Sequence, residues 1–525
     1  MTLLLRHFYD PALAQASYLV GCPATGEALV VDPNRDAEQY VRAAAADGLR
    51  ITHVTETHIH ADFVSGSREL AQRTGAVLHL SGEGGDDWAY RFPTADDTAH
   101  GVRAVLLRDG DHFLVGNVRL DVLATPGHTP EHLTLLVTDT ASADRPMGAF
   151  TGDFIFVGDV GRPDLLERAA GMRGTMDESA RTLFRSLRRF ERQPDWLQLW
   201  PGHGAGSACG KAIGAVPSTT LGYEKLYNWG VAERDEEAFV RAVLTGQPDP
   251  PRYFARMKRM NRDGPRVLGG FPQPERRPGV ELIAALERGA VVVDTRPVAA
   301  HAARHVPGTL NIPFGRAFVT WAGALLPDEP ELYLIVGHGE PGTAAASGAA
   351  EGDAALADAV RSLAMIGVDR VAGYFGTDAL GAWVAAGRAL ASTPQMTAEE
   401  LAARLATDAV ARGEIAVVDV RRPEEWAAGH LPGVPNIPLA TLPDRLAELP
   451  TDRPVVLHCQ GGSRSAIAAS VLRAHGFGDV VNLTGGFRGW RDGGHAVEQG
   501  DPGDPREPVE PVEPAVSPGP SGTAA

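Results

Sequence analysis

One segment of this chain is written twice. Val291-Val292-Val293-Asp294-Thr295-Arg296-Pro297, followed by His305-Val306-Pro307-Gly308-Thr309-Leu310-Asn311-Ile312-Pro313, returns as Val417-Val418-Asp419-Val420-Arg421-Arg422-Pro423 and His430-Leu431-Pro432-Gly433-Val434-Pro435-Asn436-Ile437-Pro438. Asp294, His305 and Asn311 are each displaced by the same 125 residues from Asp419, His430 and Asn436. A period that long marks a duplicated domain rather than a stacking repeat, whose units run to about 20–50 residues. The duplication predicts α/β domains over 276–392 and 393–499. A separate N-terminal domain is expected over 1–250, joined to them by a Pro-rich, basic connector over 251–275. At 525 residues the chain is too long for one core, and three domains suit its length.

Composition removes several classes of function. A net charge of −17 argues against a nucleic-acid partner, which needs a basic face. The local exception, Arg181, Arg185, Arg188, Arg189 and Arg192, falls in a helical pattern and reads as a solvated face. No segment approaches the roughly 20 apolar residues that span a bilayer, so no membrane partner is expected. Met1 to Asp10 lacks a signal-peptide core and reads as a strand. Three widely spaced thiols, Cys22, Cys209 and Cys459, are no disulfide framework, and a reducing cytoplasm is the expected compartment. The tail over 500–525, rich in Pro, Glu, Gly and Ser, cannot bury a core and is expected to be disordered.

In the N-terminal half, strand patterns over Ser17–Val20, Ala28–Asp32, His53–Glu56 and Ala76–Leu80 alternate with helical ones over Ala37–Ala46 and Ser67–Arg73. A β-rich run follows from His112 to Asp139, then Gly148–Val157. Clustered strands with interspersed helices suggest an α/β sandwich. Polar motifs close these strands: Thr57-His58-Ile59-His60-Ala61-Asp62-Phe63, Thr125-Pro126-Gly127-His128-Thr129, Thr151-Gly152-Asp153 and Pro201-Gly202-His203-Gly204. A lone histidine is commonly structural. Four such groups, each beside Gly, Pro or Asp at a strand end, indicate a metal site, and imidazole with carboxylate suits zinc or iron.

Over about 1–250 these four motifs resemble the metallo-β-lactamase-fold superfamily, which implies an αββα sandwich. The family's first motif reads His-x-His-x-Asp-His; here Phe63 replaces the last histidine, removing a ligand of the second metal position. Within the superfamily the chain resembles the persulfide dioxygenases, which hold one ferrous iron with two histidines and an aspartate. Carried over by motif, those ligands are His58, His128 and Asp153, with zinc as the alternative ion. Two imidazoles and a carboxylate leave positions open for O2 and a substrate. The resemblance makes His60, Asp62 and His203 supporting groups around the metal; spacing alone does not separate His60 from His58.

Arg162, in Gly158-Asp159-Val160-Gly161-Arg162-Pro163-Asp164, has two readings: a clamp for the carboxylate of a thiol substrate, or an ion pair with Asp159 or Asp164. Cys209 and Lys211 follow the last histidine motif, where related enzymes build the thiol pocket. Cys209 either lines that pocket or is an inert buried thiol.

The second chemical centre is Cys459-Gln460-Gly461-Gly462-Ser463-Arg464-Ser465, between the strand Val455–His458 and a helix over Ala466–Ala474. A cysteine on a Gly-rich turn at a helix N-terminus faces backbone N–H groups that favour thiolate, and would equally stabilise a persulfide. A cysteine-phosphatase loop is one residue longer between its Cys and Arg; the tighter cradle suits sulfur better than phosphate. With Asp419, Arg421, His430 and Gly485-Gly486-Phe487-Arg488-Gly489-Trp490, residues 396–498 resemble an active rhodanese. That resemblance implies Cys459 as the sulfur carrier, Arg464 as the contact for an anionic donor, and Asp419 with Arg421 as scaffold. The first copy keeps the scaffold and lacks the cysteine, reading Leu334-Ile335-Val336-Gly337-His338 at the equivalent strand end, so it resembles a degenerate rhodanese with a structural or docking role.

Together the resemblances imply oxidation of a low-molecular-weight thiol persulfide by O2 to sulfite, coupled to sulfane-sulfur transfer at Cys459, with thiosulfate as the net product when sulfite accepts. Covalent fusion raises the effective concentration of a shared intermediate. A homo-oligomer is expected by analogy with related fusions. Two other functions fit the motifs less well: a glyoxalase II-like thioester hydrolase, and a non-oxidative module that delivers sulfur to Cys459.

Overall fold

The computed structural model describes residues 3–165, 174–247, 250–337, 348–407, 409–410 and 412–500. His338 and all of the tail but Gly500 lie outside the described residues. The chain divides into two compact units, Met1–Ala391 and Ser392–Ala525. No helix among the described residues is long and apolar enough to cross a membrane.

In the first unit, strands β1 (Leu4–Asp10), β2 (Gln15–Cys22), β3 (Glu27–Val31), β4 (Arg50–Thr55), β5 (Val77–Ser81) and β6 (Arg103–Leu107) form one sheet in sequence order. Strands β7 (His112–Val115), β8 (Val118–Ala124), β9 (Leu133–Asp139), β10 (Gly148–Gly152), β11 (Gln198–Pro201) and β12 (Thr219–Thr220) form the second, again in order. Both inner faces are apolar. Tyr18, Val20, Leu29 and Val31 pack against Leu120, Val122, Leu135, Phe150 and Trp200.

The outer face of the first sheet is covered by the helices Ala37–Ala46 and Ser67–Thr74. That of the second is covered by Met176–Phe190 and Glu236–Leu244. The result is the expected αββα sandwich. Along Met176–Phe190, Leu183, Phe184 and Leu187 face the core, and Arg181 and Arg185 pair outward with Glu237 and Glu178, the solvated face read from the sequence.

Polarity along the strands sets the site. Strands β3 and β4 are parallel, β8 and β10 both run antiparallel to β9, and β11 is parallel to β10. The residues that follow these strands are Asp32, Thr57–His58, Thr125–His128, Asp153 and His203. The two sheets are stitched there by backbone bonds, Leu133 N–H to Thr57 O (2.8 Å) and Ala16 N–H to Gly202 O (2.8 Å).

The segment expected as a connector is more than that. Phe254–Asp263 is a helix with Phe254, Met257 and Asn261 buried. The Cys-less copy continues the same unit. Its sheet contains β13 (Val291–Asp294), β14 (Leu310–Asn311), β15 (Leu332–Ile335) and β16 (Val371–Phe375), all parallel. This domain abuts the metal-motif loop: Val64 N–H donates to Met365 O (2.8 Å). Arg35 bonds the Asp369 carboxylate (2.9 Å) and Ala364 O (3.1 Å), and Arg361 reaches Asp10 and Asp36 (2.9 and 3.1 Å).

The second unit repeats that sheet with β17 (Gln395–Met396), β18 (Ala416–Asp419), β19 (Val455–His458) and β20 (Val480–Leu483). The duplication extends to single hydrogen bonds. Asn311 Nδ2 donates to Asp294 O and Arg296 O, and Asn436 Nδ2 to Asp419 O and Arg421 O, each at 2.9 Å. Asp294 pairs in register with Ile335 and Asp419 with His458. Val336 therefore stands where the second copy has Cys459.

Candidate metal centre and sulfur-transfer loop

His58, His128 and Asp153 are buried together, with one ligand atom of each within 4.8 Å of the others. Asp153 Oδ2 lies 3.5 Å from His128 Nε2, 3.8 Å from His58 Nε2 and 3.4 Å from His203 Nε2. The proton positions follow from the opposite ring nitrogens. Thr57 Oγ1 donates to Asp32 (2.9 Å), so His58 Nδ1–H must donate to that hydroxyl (3.0 Å). His128 Nδ1–H donates to Arg162 O (3.0 Å) and His203 Nδ1–H to Ala14 O (3.0 Å). Burial lowers the pKa of His58 and His128, and these neutral rings direct their Nε2 lone pairs toward Asp153, the second-partner arrangement that orients metal-ligating histidines. His203 differs: burial works against its charge, but Asp153 and Asp62 prevail and raise its pKa well above the ordinary value.

Both Asp153 oxygens are buried without a hydrogen-bond partner among the described residues. A carboxylate so stranded is costly, and a cation among these donors would relieve it; the residues fit a metal. Burial opposes the charge on Asp153, but His203, His58 and His128 outweigh it and hold its pKa well below the carboxylate range. The chain around it leaves little room: a Cβ on Gly202 would stand 2.7 Å from Asp153 Oδ1.

His60 faces elsewhere. Its Nε2–H donates to Asp32 Oδ1 (3.0 Å), while Nδ1 has no hydrogen-bond partner among the described residues. Burial works against its charge, but Asp32, Asp62 and Glu56 prevail and raise its pKa to about 9. Phe63 is buried with its ring 4.4 Å from that of His60. Asp62, His203 and Cys209 form a second close group, with Asp62 3.2 Å from His203. Burial pushes the Cys209 thiol up to about 12, the inert form.

Two expected substrate contacts are engaged elsewhere. Arg162 is fully buried, holds Asp164 through two 2.7 Å bonds and donates to Ala208 O (3.1 Å), so its fork has no free edge for a substrate carboxylate. Arg162 thus forms an ion pair with Asp164, in the interior rather than on the surface. Lys211 Nζ lies over the Trp229 ring (4.3 Å) and donates to Ala242 O (2.5 Å) and Thr245 O at the end of a helix. It serves that helix terminus.

Three residues escaped the sequence reading. Asp32 accepts Thr57 N–H (2.6 Å), Thr57 Oγ1–H and His60, and orients both histidines of the first motif. An acidic residue closing an apolar strand before Pro33 was the available signal. His132 Nε2 accepts Asp153 N–H (3.1 Å), and burial holds its pKa down to about 3, keeping it neutral. Asn261 donates to His60 O (2.8 Å) and Phe63 O (2.7 Å) and accepts from Ser65 N–H (2.9 Å). Asn261→Ala strands those three backbone groups and is expected to destabilise the protein by about 3 kcal/mol, at about 1 kcal/mol per bond, measured by urea denaturation.

The metallo-β-lactamase superfamily matches residues 10–203, and the rhodanese-like domain family matches 397–492. A probable metallo-hydrolase from Burkholderia pseudomallei (strain 1710b) is 31% identical over 220 residues, covering 38% of this chain and 72% of that protein. The chain belongs to the metallo-β-lactamase superfamily. A crystal structure of a metallo-β-lactamase from Staphylococcus aureus subsp. aureus COL is 38% identical, covers 72% of this chain and 99% of its own, and superposes with a TM-score of 0.61. A hydroxyacylglutathione hydrolase from Rhodospirillum rubrum is 32% identical over 186 residues, 35% of this chain and 60% of that protein.

This metallo-β-lactamase-fold chain carries its rhodanese-like centre on the loop between β19 and the helix Ser463–Ala474. Cys459 is buried, and its Sγ accepts from Gly462 N–H (3.1 Å) and Ser465 Oγ–H (3.5 Å). Gly486, at φ +55°, lies so close that a Cβ would stand 2.2 Å from Cys459 O. Arg421 chelates Asp419 (2.7 and 2.9 Å), donates to Gly429 O (2.6 Å) and covers the Phe487 ring (4.0 Å). Burial drives His458 down to about 4, so it is neutral beside them. Arg464, expected as the anion contact, instead forms a two-bond pair with Glu425 (2.6 and 2.7 Å), which the helix Pro423–Ala427 places opposite it.

Proposed function

We propose that this protein is a persulfide dioxygenase fused to a sulfurtransferase. The observation that carries it is the buried His58–His128–Asp153 set, with Phe63 where the family's first motif has a further histidine, in a chain that also carries the Cys459 loop. The first reaction balances as RSSH + O2 + H2O → RSH + SO3²⁻ + 2 H⁺. His58, His128 and Asp153 would hold a ferrous iron, whose redox chemistry would let O2 react with a closed-shell persulfide; the four electrons that reduce O2 come from the sulfane sulfur.

The chain's own contribution is orientation. Thr57 and Arg162 O fix the two imidazoles, Asp32 holds His60 away from Asp153, and Phe63 excludes water from that side. In the second reaction a persulfide on Cys459 gives its outer sulfur to sulfite, releasing thiosulfate and the Cys459 thiolate. Gly462 N–H and Ser465 Oγ–H support the sulfur anion in both forms.

The name of the Rhodospirillum relative favours a second reading, thioester hydrolysis. Hydrolysis in this fold uses a metal-activated hydroxide, commonly shared between two metals, and Phe63 removes a ligand for the second. Protein purified without oxygen is expected to contain one iron per chain and to consume O2 only when a thiol persulfide is added. Stoichiometric zinc, or two metals per chain with thioester cleavage and no O2 uptake, would establish the hydrolase instead.

A further inference from the structure

Three arginines surround the Cys459 loop, and two of them already hold carboxylates. Arg421 is chelated by Asp419 and Arg464 by Glu425. Arg488 is exposed, and no carboxylate pairs with it among the described residues. Its position is fixed by the backbone. Phe487 N–H donates to Cys459 O (2.7 Å) and Arg488 N–H to Gln460 O (3.0 Å), so the first turn of the helix Gly486–Asp492 is bolted to the loop itself.

The side chain then lies over the loop, with one guanidinium nitrogen 3.2 Å from where a Cβ on Gly461 would stand. A larger residue at 461 would crowd that guanidinium; glycine leaves it room beside the loop that carries Cys459.

We infer that Arg488 is the anion-binding residue of the sulfur-transfer site, holding the sulfonate group of thiosulfate or the sulfite derived from it. The inference rests on the sulfurtransferase reading and moves the anion contact from Arg464 to Arg488. When thiosulfate is the donor, the Cys459 thiolate attacks its outer sulfur. The new S–S bond to Cys459 forms as the S–S bond of thiosulfate breaks, and sulfite departs with the electron pair. Charge gathers on the departing oxygens, where a planar guanidinium can bridge two of them. Glu425 denies Arg464 the same freedom.

The test uses the full-length protein and two readouts. The first is steady-state sulfur transfer from thiosulfate to cyanide. The second is the rate of Cys459 alkylation by iodoacetate relative to iodoacetamide, reagents alike in shape and different in charge, followed by peptide mass. Arg488→Ala is expected to raise KM for thiosulfate about tenfold or more, the scale of one charge-assisted hydrogen bond. The same variant should lower the iodoacetate-to-iodoacetamide ratio, and Arg488→Lys should recover part of both. An unchanged KM and ratio in Arg488→Ala, or equal slowing of the two reagents, would overturn the inference. A parent protein that transfers no sulfur, with Arg488→Ala still lowering the alkylation ratio, would overturn the sulfurtransferase reading and leave the anion contact standing.

Discussion

Asp153→Asn is expected to leave a folded protein without its metal, and with persulfide-dependent O2 uptake below about a hundredth of the parent, more than removal of a supporting hydrogen bond around a metal costs. The substitution keeps the shape of the side chain and the Asp153 N–H bond to His132, but removes the one anion of the triad. His203, deprived of Asp153, still has Asp62 at 3.2 Å to balance its charge, so the fold survives. Parent and variant should differ most in the ligand dependence of their melting. Ferrous iron added anaerobically binds the native parent and raises its Tm, whereas the variant's Tm stays put. Stoichiometric iron in Asp153→Asn would remove Asp153 from the ligand set and with it the proposed centre.

The sandwich and a metal site among the four motifs are legible because strand ends are marked locally, by an apolar run stopping at Gly, Pro or Asp; the choice of His58, His128 and Asp153 within those motifs comes from the family resemblance. What could not be foreseen is which way a side chain turns once it is there. His58 and His60 share one motif, yet one faces Asp153 and the other Asp32, because Asp32 arrives from β3, far away in sequence. Arg162 and Lys211 show the same limit. Both are expected near the site, and both have other partners, Arg162 the buried Asp164 and Lys211 the exposed end of a helix.

The strand β6 was missed because Arg103 to Val105 form an exposed face with no buried alternation. The helix Phe254–Asp263 was hidden by its Pro-rich, basic surroundings, although Phe254, Met257 and Asn261 recur at helical spacing.

That helix and the Cys-less domain change what the duplication means. Val336 in place of the cysteine removes the chemistry, but the domain's Met365 and Asp369 tie down Val64 and Arg35. Val64 directly follows the metal motif, and Arg35 follows the Asp32 turn. A domain that lost its nucleophile has thus become part of the wall that holds the metal motif in register. The α/β scaffold was retained because Asp294, Arg296 and Asn311 stabilise the turn whether or not a reactive loop follows.

Cys459→Ser separates the two halves of the proposed reaction. A serine hydroxyl keeps the shape of the side chain, is slightly smaller than the thiol and can still accept Gly462 N–H, so the loop should stay folded. It cannot carry sulfane sulfur, and thiosulfate formation and sulfur transfer to cyanide are expected to fall below detection. Iron content and O2 uptake should remain at the parent's level, since none of the ligand set lies near residue 459 in sequence and Asp153, His58 and His128 belong to the first unit. Sulfite should then accumulate in place of thiosulfate. If O2 uptake is lost together with sulfur transfer, the metal domain is only delivering persulfide to Cys459, and the dioxygenase reading falls.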